Sequence, residues 1–413
     1  MTALVVAIFA LTYVLIALRR LRVLPIGRSA GALLGATLML VAGAISPEDA
    51  YRAVDHDTLV LLFGMMVITA RLVDAGFFAA ASDTLLRVTK TPRRLLAAVS
   101  LLSGLLSAFM VNDTVCLFLT PMVVAMGLRG GLPLGPLLMA VATSANIGSA
   151  ATLVGNPQNM LVGSMSGLSF STFLAHAGPA ALVALLLNTA LLDLYYGRRL
   201  AAAARSAPGP TSAPEPPARA RRRDLALPLL TLAAVIVAFF AGARLSVATL
   251  AAAAFLITAA RRDAAATFAR IDWPLLVFFA GLFVVVAALR DTGLVADAWA
   301  WAAPHLGLGD APGLAGFTAF AAVGSNVVSN VPMVLLTGPY LPLLGQPELG
   351  WVLLAFVTTL AGNLTLVGSV ANIIVAEGAR EHHELGFFEY LRFGAVSTLL
   401  GLAVGVPLIV AGF

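Results

Sequence analysis

The chain has 413 residues, of which 60% are hydrophobic and only 11% are charged, where soluble domains carry about 25% charged residues. With a mean hydropathy of +0.97 there is too little polar surface to coat a water-facing globule, which excludes a soluble domain, a disordered segment, a coiled coil and a disulfide scaffold. The net charge of +5 resides largely in arginines between apolar runs, such as Arg19-Arg20, Arg93-Arg94, Arg221-Arg222-Arg223 and Arg261-Arg262. That placement sets membrane orientation and speaks against nucleic acid as a partner.

From the N-terminus, the apolar stretch Ala3 to Ala17 is followed, not preceded, by Arg19, Arg20 and Arg22. This is the reverse of a signal peptide and reads as a retained first helix. A spanning helix needs about 20 apolar residues. Ten candidates follow in order: 2–18, 27–45, 57–75, 133–163, 173–197, 225–242, 244–260, 272–290, 350–376 and 388–412. Two further apolar stretches, 95–127 and 312–344, are interrupted by polar and helix-breaking residues. Between the halves, about 200–223 holds Pro208, Pro210, Pro214, Pro216 and Pro217 among arginines and reads as an extended cytoplasmic linker. Arginine-bearing loops belong inside, while Pro47–Asp57, with Glu48, Asp49, Asp55 and Asp57 against Arg52, suits the outside. These sides alternate only if both interrupted stretches return to the side they entered from. They are therefore expected to be re-entrant hairpins, with both termini extracytoplasmic. Cys116 stands alone, so no intrachain disulfide and no paired-cysteine metal site exist.

The halves echo each other. Asp55, Gly64, Asp74 and Gly76 recur as Asp272, Gly281, Asp291 and Gly293, each shifted by 217. Asn112 and Pro121 recur as Asn330 and Pro339, shifted by 218, and Thr152-Leu153-Val154-Gly155 with Asn159 recurs as Thr365-Leu366-Val367-Gly368 with Asn372, shifted by 213. An odd number of crossings per half makes these inverted repeats, 1–199 and 224–413. Such repeats place the solute near the midplane, where they meet. The fold class expected is an all-α polytopic membrane protein of about 10 transmembrane helices, two re-entrant hairpins and two unwound helices.

Each half carries two polar clusters in apolar surroundings. One pair is Val111-Asn112-Asp113-Thr114 and Ser325 to Pro332, including Ser329 and Asn330. The other is Thr152 to Asn159, including Gly155 and Asn156, and Asn363 to Asn372, including Thr365, Gly368 and Ser369. Broken helix at membrane depth persists only where it is buried or lines a polar cavity. Gly155 and Pro157 are expected to unwind a helix through glycine's dihedral freedom and proline's missing donor. Freed carbonyls suit a cation, half-helix N-termini suit an anion, and neutral Asn and Ser add contacts without full charge. The set fits a small anion with a coupling cation.

On Val111-Asn112-Asp113-Thr114 with Pro121, Val154-Gly155-Asn156-Pro157-Gln158-Asn159, Ser329-Asn330-Val331-Pro332 and Gly368-Ser369-Val370-Ala371-Asn372, nearly the whole chain resembles the ion transporter superfamily. That group includes arsenite permeases and divalent-anion/sodium symporters. The resemblance implies sodium and substrate bound at hairpin tips and unwound loops, with Asn112 and Asn330 as tip asparagines. It also implies a transport domain moving against a scaffold that often dimerises. The Asn112-Asp113 pair resembles the arsenite permeases, and a further anion-permease branch, more than the dicarboxylate branch.

The expected site is Asn112, Asp113, Thr114, Thr152, Gly155, Asn156, Asn159, Ser329, Asn330, Thr365, Gly368, Ser369 and Asn372, with sodium at Asn112, Asp113 and Asn330. Asp113 is its sharpest member, an ionisable group within a membrane segment and so a candidate cation ligand or proton carrier, against the plainer reading of a helix cap or structural hydrogen-bond acceptor at the hairpin tip. Arg71 with Asp74, and Arg290 with Asp291, read as structural ion pairs. No Walker A motif is present, so this chain does not hydrolyse ATP. The function expected is secondary active transport of a small anion or oxyanion coupled to sodium or proton, without a resident cofactor, in the inner membrane. Rival readings are arsenite or antimonite efflux, a sodium/proton antiporter, a passive channel and a membrane-embedded enzyme.

Overall fold

Apolar solvent gives a backbone no external hydrogen-bond partners, so these sequences close their own bonds as helices. The computed structural model describes residues 1–17, 27–206, 222–259 and 264–413, and no strand occurs among them. The first half holds α1 (Thr2–Ala17), α2 (Arg28–Val41), α3 (Pro47–Ala53), α4 (His56–Asp74), α5 (Phe77–Val88), α6 (Pro92–Phe109), α7 (Asn112–Arg129), α8 (Leu134–Ser149), α9 (Pro157–Ser166) and α10 (Phe170–Ser206). The second holds α11 (Arg222–Phe240), α12 (Leu245–Ala259), α13 (Ala264–Phe268), α14 (Trp273–Arg290), α15 (Leu294–Ala302), α16 (Ala311–Val328), α17 (Asn330–Thr337), α18 (Pro347–Ala361), α19 (Val370–Gly378) and α20 (Phe387–Ala411). Among the described residues, α4, α6, α10, α14, α16 and α20 are long and apolar enough to cross a membrane, and seven shorter apolar helices accompany them.

Both interrupted stretches are helical hairpins. In the first, α6 and α7 are joined by Met110 and Val111, both extended. In the second, α16 and α17 meet at Ser329 alone, which has φ 69° and ψ 161°. That region is essentially reserved for glycine, and holding serine there costs about 1–3 kcal/mol. Both unwound helices are present too: α8 stops at Ser149 and α9 starts at Pro157, while α18 stops at Ala361 and α19 starts at Val370.

Within the acidic segment, Pro47–Ala53 is a helix, because Ser46 caps it by accepting from the Asp49 N–H at 3.1 Å and Pro47 opens its first turn. The bounds of the linker change. The linker starts later than residue 200, because Ala201 to Ala204 are strong helix formers and carry α10 on to Ser206. At its other end Arg222 and Arg223 already belong to α11. The remainder, 207–221, lies outside the described residues, as do the arginines at 19, 20, 22, 261 and 262.

Several repeated residues prove to shape the helices. Asp55 and Asp272 cap α4 and α14, accepting from Thr58 N–H at 2.7 Å and Leu275 N–H at 3.0 Å. Gly76 and Gly293 make the left-handed turns after those helices, with φ of 80° and 81°. Gly64 and Gly281 mark close helix crossings: a Cβ would lie 2.7 Å from the Thr249 carbonyl carbon on α12 and 2.8 Å from that of Ala32 on α2, respectively. Thus α4 packs on α12 and α14 on α2, each helix leaning on the opposite half. The same exchange recurs deeper, where α7 packs on α19 and α17 on α9, and the long helices α10 and α20 lie together.

Candidate functional site

The hairpin tips and helix breaks meet by specific backbone contacts. Asn112 N–H, at the start of α7, donates to the Gly155 carbonyl at 2.9 Å, joining the first tip to the first break. Gly155 is needed here for closeness, not for dihedral freedom, which corrects the expectation: its φ is not positive. A Cβ there would lie 2.4 Å from the Ser149 oxygen and 2.7 Å from that of Ser107. At Gly368 a Cβ would lie 2.9 Å from both the Gly362 oxygen and Asn326 Oδ1. Pro157 opens α9, where its missing N–H costs nothing, and Asn156 caps that helix by accepting from Asn159 N–H at 2.8 Å.

Matching asparagines staple the two breaks. Asn159 Nδ2 donates to the carbonyls of Ser149 at 3.1 Å and Thr152 at 2.9 Å. Asn372 Nδ2 donates to those of Gly362 at 2.8 Å and Thr365 at 3.1 Å, the same pattern displaced by 213 residues. Thr152 Oγ1 donates to the Ala108 carbonyl at 2.5 Å, fastening the first break to its hairpin. Thr365 Oγ1 reaches Asn326 Oδ1 at 3.5 Å, and Asn326 Nδ2 donates to the Ala361 carbonyl at 3.0 Å, so the second hairpin is held likewise.

The centre of the arrangement is Asn146, a residue the sequence reading did not single out. Its Oδ1 accepts from Asn112 Nδ2 and from Ser369 Oγ, each at 3.0 Å. Its Nδ2 donates to Asn363 Oδ1 and Asn372 Oδ1, each at 2.8 Å. One fully satisfied amide therefore ties the N-terminus of α7 to the N-terminus of α19. Those two ends present partial positive charge near one point. Asn363 Nδ2 donates to the Thr143 carbonyl at 2.9 Å, and Tyr390 Oη donates to Asn363 Oδ1 at 3.4 Å. A second crossing of the halves runs through Thr359 on α18, whose Oγ1 accepts from Asn156 Nδ2 at 3.2 Å and from Gln158 Nε2 at 2.9 Å.

Asp113 and Thr114 turn elsewhere, into a cavity of about 250 Å³ whose walls include Met66, Ala70, Phe118, Arg270 and Asp272. Asp113 is buried at 8% exposure, and Arg28 lies within Coulombic reach of Asp113, Asp272 and Glu377. Asn330 and Ser329 join neither this cavity nor the Asn146 cluster. The Oδ1 of Asn330 is buried and accepts no hydrogen bond among the described residues. The three residues expected to share sodium thus stand in three settings: Asn112 bonded to Asn146, Asp113 on the cavity and Asn330 at the second tip. Arg71 lies 3.8 Å from Asp74, an ion pair as expected, and Asp74 also meets Arg270 at 2.7 Å.

Comparison with known proteins gives a consistent family. The family model described as Citrate transporter matches residues 13–361. A silicon efflux transporter of Oryza sativa subsp. japonica is 33% identical, covering 94% of this chain and 93% of its own length. An uncharacterized transporter of Mycobacterium tuberculosis is 32% identical over 98% of this chain and 97% of its own. A Dictyostelium discoideum protein bearing the transporter name arsB is 30% identical over 94% and 88%. The crystal structure of the YdaH transporter of Alcanivorax borkumensis, described as having an unusual topology, shares the fold at a TM-score of 0.60 and 17% identity, over 99% of this chain and 96% of that one.

Proposed function

Because the chain belongs to the citrate transporter family, we propose that it is a secondary active transporter of a small anion or oxyanion, coupled to sodium or proton through alternating access. Membrane transport itself, not catalysis, is the family's activity. The observation that carries the finer reading is the Asn146 cluster, where a hairpin tip from one half and a helix break from the other are held by one amide. Helix N-termini brought together in this way suit the oxygens of a small anion. Asp113, on the adjoining cavity, is the charge through which a cation or proton couples to it. Solute and coupling ion together then stabilise an occluded state that neither stabilises alone.

A second reading, efflux of a neutral hydroxide such as silicic or arsenous acid, is favoured by one feature. The cluster around Asn146 consists of amides and hydroxyls and contains no cationic side chain among its members. The rice relative's name, silicon efflux transporter, points the same way. The same proposal puts the halves in opposite orientation across the inner membrane, with both termini outside and the linker inside, and pairs two chains in a homodimer.

Purified protein in sealed vesicles tests these readings. Citrate, sulfate, phosphate, arsenite and silicic acid are offered under separate sodium and proton gradients. Saturable, gradient-driven flux of one of the anions is expected. Flux linear in concentration and blind to gradients would mean a channel. Drive by a gradient in the neutral hydroxides alone would favour the second reading, and sodium–proton exchange with no solute would mean an antiporter. Asp113→Asn is expected to abolish gradient-driven uptake while the folded protein still reaches the membrane. Uptake equal to the parent's would remove Asp113 from the coupling role.

A further inference from the structure

The two hairpin tips match in sequence but not in how they are seated. At the first, Val111 has φ −61° and ψ 120°. Asn112 N–H there donates to the Gly155 carbonyl at 2.9 Å, and Asn112 Oδ1 accepts from Asp113 N–H at 2.9 Å. In the second half Ser329, Asn330 and Gly368 stand in the places of Val111, Asn112 and Gly155. Among the described residues no bond joins Asn330 N–H to the Gly368 carbonyl, and the buried Oδ1 of Asn330 accepts nothing. Thr152 holds a backbone carbonyl of its hairpin at 2.5 Å, whereas Thr365 reaches only the Asn326 side chain, at 3.5 Å.

Burial follows the same division. Val154 in the first break is 1% exposed, while its copy Val367 is 69% exposed. Likewise 44% of α6 is buried against 17% of α16. Backbone strain gives the second tip a direction. Ser329 has φ 69° and ψ 161°, a region that favours glycine, and Val111 shows that a seated tip holds the same position at an ordinary negative φ. Seating would therefore relieve Ser329, give Asn330 a partner and cover Val367. Against it stands the loss of solvent from the part-exposed polar groups of Thr365 and Gly368. Opposed contributions of this kind leave two positions close enough to exchange.

We propose that the second hairpin, α16 with α17, is a lid over the second helix break, shown here off its seat, and that it closes by setting Asn330 on the Gly368 carbonyl as Asn112 is set on Gly155. Ser329 is its spring: the strained φ of the open tip is released on closing. The lid's two positions stand on these contacts alone, and only the statement that the covered break carries solute rests on the transport reading above.

The test reads the lid without reading transport. Cys116→Ala removes the native thiol, and Val367→Cys then places a single thiol on the break, with Val327→Cys on α16 as a second reporter should the first not fold. Purified protein in detergent is treated with a water-soluble maleimide. Ser329→Val gives the second tip the residue of the first, and a β-branched side chain tolerates a positive φ worse than serine does. It is expected to slow labelling about fivefold by driving the lid shut, with Ser329→Thr moving the rate the same way should the valine variant not fold. Adding Asn330→Ala to Ser329→Val should return the rate toward the parent's, because the seat is lost. Ser329→Gly, which removes the strain, should label no more slowly than the parent. A rate in Ser329→Val equal to or above the parent's would overturn the lid, and so would a double variant that stays slow or a glycine variant that slows. Labelling that follows the tip in protein that moves none of the offered solutes would keep the lid and sink the transport reading. Driven transport with labelling indifferent to residue 329 would do the reverse.

Discussion

Asn146 shows how much one side chain can organise. Its amide accepts twice and donates twice, all within 3.0 Å, and all four partners come from the hairpin tip or the opposite helix break. Asn146→Ala would strip Asn112, Ser369, Asn363 and Asn372 of a buried partner, at about 1–3 kcal/mol for each group left unsatisfied. The expected outcome is a lower melting temperature in detergent together with loss of transport. Asn146→Asp keeps both accepted bonds but sets a buried carboxylate oxygen against the Asn363 and Asn372 Oδ1 acceptors, so it should melt no higher than the alanine variant. Parental melting in both variants would show that the cluster does not hold the centre together. Asn146 sits inside an unbroken α8; at the 213 shift of the helix breaks it meets Thr359, whereas at the 217 shift of Asp55 and Gly64 it meets Asn363, the one signal in the sequence that could have marked it. Asn159 and Asn372, by contrast, were found because they repeat. Their geometry shows why they repeat, since each staples its own helix break.

Helices in lipid associate through close packing of small residues, because burial against other apolar helices gains little over burial in acyl chains. The crossings α4–α12 and α14–α2 follow this rule, with Gly64 and Gly281 at the points of nearest approach. In both cases the atoms a new Cβ would meet include backbone, 2.7–2.8 Å away, which cannot rotate aside. Gly64→Ala and Gly281→Ala are therefore expected to destabilise by similar amounts, about 1–3 kcal/mol each, as overpacking does. Thermal unfolding of the two purified variants measures this, and a harmless substitution at either glycine would break the equivalence of the two crossings. The hairpins and breaks were legible at this scale because Asn, Ser, Gly and Pro interrupt otherwise apolar runs. The short helices α3, α13 and α15 were not, being too brief to carry a clear apolar period, and neither was α5, whose 12 amphipathic residues fall short of a membrane span.

For the whole molecule, the halves do not sit side by side but exchange contacts: α4 on α12, α14 on α2, α7 on α19, α17 on α9 and α10 along α20. A chain so interlocked should not need its covalent linker to assemble. Co-expression of 1–206 with 222–413 is expected to yield a complex that co-purifies through a tag on one half, while either half alone should be unstable. Recovery of a stable, monodisperse half by itself would mean that the exchanged contacts are not what holds the fold.

Sequence by itself determined the solvent, the helical class, the duplication, the two hairpins and the two breaks. These follow from composition, from the hydrocarbon's refusal of unpaired backbone groups, and from polar and glycine identities repeated at fixed offsets. Only the tertiary structure decided which polar residues meet. Hydrogen bonds of 2.8–3.0 Å around Asn146 and the ion pair between Asp74 and Arg270 join residues far apart in the chain. Such contacts depend on helix crossings and rotations set by packing across both halves, and no local pattern along the chain records them.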